Sequence, residues 1–274
     1  MVELKNVSVT YSSGVDALHN VNLKINDGDF AFVVGASGAG KSTMIKLILK
    51  EINPTSGSIS VNGYNLNKLR RRRIPALRRT IGFVFQDFRL IPSMTVYENV
   101  AFVLRVIDAP TKYIRKRVPY VIGLVGLQDK TYAYPDELSG GEKQRVAIAG
   151  VVAMQPKCIV LDEPTAMLDP NGRREAIKTV HELNRQEGIT VVLITHYMEE
   201  VIDADRVVVI DGGHVVMDGT PKEVFSRVKE LKKYSLDVPQ VTELADELKE
   251  AGMDLPYGIL SIDELVDELV PLLK

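Results

Sequence analysis

The chain of 274 residues is 45% hydrophobic and 26% charged, with a formal net charge of −2. This composition is typical of a globular protein that buries a sizeable core, and it argues against a nucleic-acid-binding role, for which a basic chain is expected. At about 100 to 200 residues per domain, the length predicts one large domain or two small ones.

The start of the chain and its cysteine content do not predict secretion. The first residues, MVELK, carry charges where a signal peptide would have an apolar stretch of about 7 to 15 residues. No run of about 18 apolar residues predicts a membrane-spanning helix. The single Cys158 lies in an apolar run, so we expect a buried thiol in a reducing cytosol. We therefore expect a cytoplasmic protein that reaches a membrane only through a partner.

The predicted strands form a layered α/β core. Residues 2–11 alternate apolar and polar, which predicts an edge strand, and a short second strand follows at 21–25. Phe30 to Val34 is a continuous apolar run, typical of a parallel strand buried on both faces. Similar runs predict strands at 81–85, 158–161, 190–194 and 206–210, and helices are predicted between strands at 41–50, 171–186 and 197–203. The alternation predicts an α/β protein.

Helical periodicity replaces the strand signal between Phe88 and Pro156. Helices are predicted there at 96–107, 113–125 and 140–153, as a helical segment inserted into the core. After Asp218 the chain again favours helices, at 221–233, 241–251 and 262–272. Ser261 and Glu264 are spaced as a capping box for the last of them. This tail carries no readable chemistry, so we expect it to pack against the core or to contribute a dimer contact.

The sequence GASGAGKST follows the predicted strand at 30–34 and precedes a helix. In that context it predicts a phosphate-binding loop, whose backbone N–H groups and helix N-terminus receive phosphates. Lys41 would reach the β- and γ-phosphates and the Ser42 hydroxyl would bind Mg²⁺. The predicted nucleotide-binding residues here are Gly35, Ser37, Gly38, Gly40, Lys41, Ser42 and Thr43.

Two carboxylates follow the apolar strand at 158–161. Ligand sites of α/β sheets lie at the carboxyl ends of strands, so Asp162 would hold Mg²⁺ and Glu163 would orient and polarise an attacking water. Two acidic residues after a strand also suit an ordinary helix cap. Their combination with a phosphate loop favours the catalytic interpretation.

A second anion-binding helix terminus is predicted at Ser139, Gly140 and Gly141, in the sequence LSGGE. Together with the phosphate loop before it and LDEP at 161–164 after it, this motif resembles the ABC ATPases over residues 1 to about 220. The resemblance implies a RecA-like parallel sheet with an antiparallel β edge, and a head-to-tail dimer in which the LSGGE signature of one subunit closes over the ATP bound by the other. It also implies a nucleotide-binding core at 1–87 and 157–220, a helical subdomain at 88–156 and a C-terminal helical extension at 221–274.

Further residues match the family pattern in the expected order. The resemblance implies that Tyr11 stacks on adenine, that Gln86 links Mg²⁺ and the water to the helical subdomain, and that His196 contacts the γ-phosphate. It implies that Asp169 touches the opposite subunit. Taken singly, Tyr11 would be an ordinary edge-strand tyrosine, Gln86 a surface glutamine and Asp169 a helix cap.

Two basic runs, at 70–73 and 112–117, are interpreted as solvated helix faces. A weak contact of these runs with lipid head groups near a membrane partner is the alternative interpretation. Because the chain is acidic overall, neither run is assigned to nucleic acid.

Different parts of the chain resemble two kinds of ABC ATPase. Residues 1 to about 145, with FQDFRL at 85–90 and TVYENVA at 95–101, resemble the cell-division ATPase FtsE, which acts through the membrane protein FtsX. From Val146 onward, DEPTAMLDP at 162–170 and the tail resemble the ATPases of energy-coupling-factor vitamin transporters. FtsE-like chains would have arginine at Gly150 and would end soon after residue 220. This division favours the hypothesis of a chimera joined within residues 138–149, which both families share, over a natural intermediate between them.

The resulting hypothesis is an ATP-hydrolysing subunit with ATP and Mg²⁺ as cofactors. It would form a homo- or heterodimer with a second ABC ATPase and associate peripherally with the inner face of the bacterial membrane. Its membrane partner would be a transmembrane component of an energy-coupling-factor importer of vitamins or metal ions, or alternatively an FtsX-like protein. A soluble ABC protein of DNA repair or translation is a third class, but paired nucleotide domains, zinc cysteines and a coiled-coil insertion are lacking.

Overall fold

The computed structural model describes residues 1–272, which form two sheets and a set of helices around them. The strands are β1 (Val2–Thr10), β2 (Asp16–Ile25), β3 (Phe30–Val34), β4 (Ser56–Val61), β5 (Tyr64–Asn65), β6 (Ile81–Val84), β7 (Cys158–Asp162), β8 (Thr190–Ile194), β9 (Arg206–Asp211) and β10 (His214–Gly219). The helices are α1 (Lys41–Ile48), α2 (Ile74–Arg78), α3 (Val96–Val106), α4 (Thr111–Leu124), α5 (Gly140–Ala153), α6 (Pro170–Glu187), α7 (Pro221–Phe225), α8 (Val228–Lys233), α9 (Gln240–Glu250) and α10 (Ile262–Leu272).

The larger sheet has the order β10-β9-β3-β8-β7-β6, and its strands are parallel except for the edge strand β10. The smaller sheet, β2-β1-β4-β5, is antiparallel. The predicted α/β class is therefore confirmed. Sequence patterns missed β4, β5 and β10, and placed the start of β2 too late, because partly exposed strands lack a continuous apolar run.

Alternation along the central strand β3 divides the core between its two faces. Phe30, Phe32 and Val34 face a cluster that includes the helices α3 to α6. Ala31 and Val33 face a second cluster, formed with α1 and the antiparallel sheet. Both faces of the parallel sheet are covered, as parallel sheets require. The division of the chain into domains at residues 87, 156 and 220 stays a prediction.

Two glycines bring α5 and α6 together near their N-termini. A Cβ built on Gly141 would lie 2.9 Å from the Cα of Gly172, which is closer than real Cβ contacts. Side chains at these two positions would force the helices apart. The LSGGE motif is thereby held against the start of α6.

The helix predicted at 197–203 is wrong, because the structure has only a 3₁₀ turn there, at Met198–Glu200. The Thr195 hydroxyl accepts a hydrogen bond from the Tyr197 N–H at 3.0 Å. Such local side-chain bonds compete with helix formation. The predicted helix 221–233 is divided into α7 and α8, since Phe225 and Val228 both turn into the core.

The end of the described chain builds a small cluster of its own. Ala245, Leu255, Ile259 and Leu265 are buried together by α9, α10 and the segment between them. The predicted cap of α10 is confirmed, because the Ser261 hydroxyl accepts from the Glu264 N–H at 3.1 Å. Among residues 1–272, no helix is both long and apolar enough to cross a membrane.

Candidate active site

The phosphate loop connects β3 to α1 and is shaped by glycines. Gly38 and Gly40 have φ values of +80° and +114°, in the left-handed region that favours glycine. A Cβ on Gly40 would lie 2.7 Å from the Ala17 carbonyl oxygen. No side chain caps α1, whose first N–H groups are left for a ligand. Ser37 and Ser42 are exposed on this loop.

Lys41 folds back over the loop. Its Nζ donates to the carbonyl oxygens of Gly35 at 2.5 Å and Ala36 at 2.9 Å. Burial lowers the pKa of Lys41, while the carboxylates of Glu163 and Asp162 oppose the shift. The ammonium thus lies within the electrostatic reach of both carboxylates. A phosphate arriving at the loop would meet a partly desolvated cation, for which it is a strong partner.

Tyr11 and Thr43 meet at the edge of the loop. The Tyr11 hydroxyl and the Thr43 Oγ1 lie 3.0 Å apart, and Thr43 is buried. The hydrogen bond fixes the ring at the boundary between the antiparallel sheet and the phosphate loop. This is a suitable place for stacking on a nucleotide base.

Asp162 ends β7 and Glu163 follows it, two strands away from β3 in the sheet. Burial and the neighbouring Glu163 raise the pKa of Asp162, whereas Lys41 lowers it. Glu163 has a φ of +47°, which is strained for a residue other than glycine, and its N–H donates to the Ile194 carbonyl at 3.0 Å. This backbone bond turns Glu163 toward the end of β8.

His196 follows β8 and faces Glu163. Its Nδ1 lies 3.7 Å from the Glu163 Oε2, and both side chains are partly exposed. Phosphate loop, acidic strand end and histidine therefore collect at the carboxyl ends of β3, β7 and β8, where α/β sheets bind ligands. Gln86 lies exposed just after β6 at the same end of the sheet, but in residues 1–272 no hydrogen bond joins it to Lys41 or to the two carboxylates.

The signature residues do not join this cluster within one chain. Ser139 caps α5, since its Oγ accepts from the Glu142 N–H at 3.2 Å and its own N–H donates to the Glu142 carboxylate at 2.8 Å. The Ser139 N–H bond is the main cause of the lowered pKa of Glu142. Gly140 and Gly141 begin the same helix. Asp169 is the exposed N-cap of α6, without a side-chain capping bond.

Two polar residues behind His196, Thr195 and Glu200, are not predicted by the sequence patterns. Thr195 is buried and its hydroxyl donates to the Glu200 Oε2 at 2.8 Å. Burial raises the pKa of Glu200. The available signal was a threonine at the carboxyl end of a strand that otherwise consists of apolar residues after its first position.

Comparison with known proteins identifies the class of protein. The family profile described as "ABC transporter" matches residues 18–166. The chain belongs to the ATP-binding proteins of the ABC transporter family and is an ABC ATPase.

Its relatives include the Energy-coupling factor transporter ATP-binding protein EcfA1 of Caldanaerobacter subterraneus subsp. tengcongensis, which is 49% identical over 97% of this chain and 98% of that relative. The Cell division ATP-binding protein FtsE of Bacillus subtilis is 47% identical, over 82% of this chain and 99% of that relative.

Solved structures agree with this assignment. The structure of cbiO1 from Clostridium perfringens, described as part of the ABC transporter complex cbiONQ, has a TM-score of 0.79 and 36% identity, over 89% of this chain and 98% of that one. A dimeric, post-hydrolysis structure of the ATP-binding cassette MJ0796 bound to ADP and Pi has a TM-score of 0.70 and 36% identity, over 80% of this chain and 98% of that one. The hypothesis of a chimera finds no support, because a single relative matches across the predicted join.

Proposed function

We propose that this chain is the ATPase subunit of an energy-coupling-factor type importer, and that it clamps MgATP between two ABC subunits. One observation carries the nucleotide site: the phosphate loop, the Asp162–Glu163 pair and His196 gather at one edge of the parallel sheet. Relatives named as energy-coupling-factor subunits align along nearly the whole chain, including the C-terminal helices, whereas the FtsE relatives align over less of it.

The donor set at this edge fits Mg²⁺. The Ser42 hydroxyl, the Gln86 amide and the Asp162 carboxylate are hard oxygen donors of the kind that Mg²⁺ takes beside phosphates. Burial, and then the charge of the neighbouring Glu163 carboxylate, raise the pKa of Asp162 and so disfavour its ionised form. A cation there would stabilise the ionised carboxylate. Bound there, Mg²⁺ would neutralise charge on the phosphates.

The residues of the chain have separate roles in this proposal. Lys41 exchanges its two carbonyl partners for phosphate oxygens, and the loop N–H groups orient the phosphates. Glu163 accepts a hydrogen bond from the attacking water and positions it in line. His196, 3.7 Å from Glu163, contacts the γ-phosphate.

The partner subunit completes the site. Ser139, Gly140 and Gly141 begin a helix in this chain but make no hydrogen bond to its own phosphate loop among residues 1–272. The Ser139 N–H is bonded to Glu142, so the N–H groups of Gly140 and Gly141 remain for the ATP of a second subunit, with Asp169 at the contact between the two. When the two subunits close together, the N-terminus of α5 in the second subunit approaches the γ-phosphate. Hydrolysis removes this contact between the subunits.

A groove of about 450 Å³ supports a separate membrane partner. Phe83, Phe85, Phe88 and Phe102 line it together with Gly150, and Phe102 is 40% exposed. Gly150, in the last part of α5, leaves this point of the groove without a side chain, although a glycine within a helix costs about 1 kcal/mol relative to alanine. We propose that a helix of the membrane component docks in this groove.

Two experiments test the proposal. Lys41→Ala should weaken ATP binding at least tenfold in a fluorescent-nucleotide titration, since each lost charge-assisted contact is worth about 1.5–3 kcal/mol. Unchanged affinity would contradict the assignment of the loop. Gly150→Arg should leave basal hydrolysis intact but abolish co-purification with an energy-coupling-factor transmembrane component, because the new side chain would fill the groove.

An FtsE-like role is the second candidate, favoured by the 47% identity to the Bacillus subtilis protein. Co-expression with FtsX and with an energy-coupling-factor transmembrane component, in parallel, separates the two. Stable capture by FtsX alone would contradict the importer assignment.

A further inference from the structure

Arg173, in the first turn of α6, contacts two loops at once. Its Nε donates to the carbonyl oxygen of Leu168 at 3.0 Å, and its guanidinium carbon lies 3.7 Å from the centre of the Tyr197 ring. Its backbone N–H also donates to the Asp169 carbonyl at 3.0 Å. The side chain therefore bridges the loop 167–169, which follows the acidic strand end, and the turn that follows His196.

Tyr197 is held between Arg173 and His196. Its ring centre lies 4.2 Å from that of His196, and its N–H donates to the Thr195 hydroxyl at 3.0 Å. The Tyr197 hydroxyl makes no hydrogen bond among the described residues, so the ring acts through its faces. A guanidinium over a tyrosine face is worth about 0.5–2 kcal/mol, depending on desolvation.

These contacts belong to a closed series of interactions that begins and ends at Glu163. The Glu163 carbonyl accepts from the Ala166 N–H at 3.2 Å, and the Thr165 carbonyl accepts from the Leu168 N–H at 3.0 Å. The Leu168 carbonyl oxygen accepts from Arg173, as described above. Arg173 stacks on Tyr197, Tyr197 packs against His196, and His196 lies 3.7 Å from the Glu163 carboxylate. Arg173 and Tyr197 supply a side-chain connection between the two loops that runs outside the nucleotide site, and Glu200, which accepts from Thr195 and interacts with the charge of Arg173, lies behind it.

Arg173 has no carboxylate partner within 4.0 Å in the part of the chain that the structure describes. Its neighbour Arg174 instead bonds the Asn171 side chain at 2.5 Å, within the same helix. A guanidinium whose partners are one carbonyl and one ring responds directly to movement of either loop. An ion pair would have anchored it elsewhere.

We propose that Arg173 is a positioning residue that couples the loop 167–169, at the predicted subunit contact, to the His196 switch by stacking on Tyr197. The proposal rests on the proposed roles of Glu163 and His196. When a second subunit presses on the loop, the Leu168 carbonyl carries Arg173 with it. Tyr197 and His196 then adopt the position required for hydrolysis. The contact thus makes turnover, rather than ATP binding, depend on dimer closure.

Steady-state ATP hydrolysis by the full chain tests the coupling. Arg173→Ala and Tyr197→Ala should each lower kcat about tenfold, while the KM for ATP stays within about twofold, because an interaction made on the way to the transition state is lost. The double variant should be no slower than either single variant, since both remove the same contact. Tyr197→Phe keeps the ring face and should restore near-normal kcat, whereas Arg173→Lys, which loses the planar fork, should be intermediate.

Arg174→Ala is the matched control and should hydrolyse ATP normally. Thermal unfolding of all variants, which should agree within a few degrees, separates positioning from a loss of folding. Normal kcat in Arg173→Ala, additive losses in the double variant, or equal damage to kcat and KM would each overturn the proposal. Glu163→Gln in the same assay distinguishes failure of the proposed coupling from failure of the proposed nucleotide site. If Glu163→Gln is inactive and Arg173→Ala is normal, only the coupling fails, whereas an active Glu163→Gln removes the proposed site itself.

Discussion

Replacing Glu163 by glutamine is the sharpest test of the candidate site. The substitution keeps the size of the side chain and the strained backbone at φ +47°, but it removes a negative charge and a proton acceptor. We expect ATP binding to persist, because the phosphate loop is unchanged. We expect turnover to fall by about 10²-fold or more, in line with losses typical of single acid–base groups.

A loss of about 10²-fold corresponds to about 2.7 kcal/mol of transition-state stabilisation, at 1.36 kcal/mol per factor of ten. The structure predicts little cost in folding. Within residues 1–272 the Glu163 carboxylate accepts no hydrogen bond, and its close ionic neighbour is the half-exposed His196. Removing the charge relieves repulsion of Asp162, whose pKa Glu163 helps to raise, but it also removes attraction for Lys41. Because these two effects oppose each other, the free energy of unfolding should change little.

Two further substitutions use the left-handed backbone at Glu163. This conformation costs about 1–2 kcal/mol for a residue with a Cβ, and glycine avoids that cost. Glu163→Gly should consequently be at least as stable as Glu163→Ala. In regular secondary structure the order of the two would be reversed.

The assay combines phosphate release at saturating MgATP, titration with a fluorescent ATP analogue and urea unfolding. Glu199→Gln is the matched control, since Glu199 is exposed, lies close in sequence to His196 and makes no hydrogen bond among the described residues. Turnover of Glu163→Gln within twofold of wild type would refute the catalytic assignment. Loss of ATP binding together with turnover would indicate a different role.

Three other predictions concern the core and the groups behind the site. Burial raises the pKa of Cys158 to about 12, so native protein should react with iodoacetamide at least a hundredfold more slowly than unfolded protein at about pH 8, and rapid native labelling would contradict this. Because burial raises the pKa of Glu200, ionised Glu200 destabilises the fold, and Glu200→Gln should raise the Tm at about pH 8 by an amount that shrinks as the pH falls through the folded pKa; a difference that does not change with pH would be inconsistent. Phe32→Ala should lower the free energy of unfolding by about 3–5 kcal/mol in urea titration, since Phe32 is fully buried in the central strand, and a loss below about 1 kcal/mol would show that the site repacks.

The sequence analysis was strongest where the signal is local. The strand before the phosphate loop, the helix after it and the start of α5 at Gly140 could be predicted because apolar runs and glycine spacing lie within a few residues of one another. The helix predicted at 197–203 failed, since a hydrogen bond from Tyr197 to Thr195 competes with the helical pattern. The hypothesis that the chain joins parts of two families also failed, because one relative matches across the predicted join. Resemblance judged segment by segment gave less information than alignment over the whole length.

By itself, the sequence determined where the residues of the candidate site lie: the glycine-rich loop after β3, the carboxylates at the end of β7 and the helix that begins with the LSGGE motif. These are properties of short stretches, because backbone conformation and helix termini depend on neighbouring residues. Only the tertiary structure decided which distant groups meet, such as Gly141 with Gly172, and Arg173 with Tyr197. Such contacts depend on how the helices pack on the sheet, and no local spacing encodes them. The proposed coupling between subunit contact and hydrolysis belongs to this second kind.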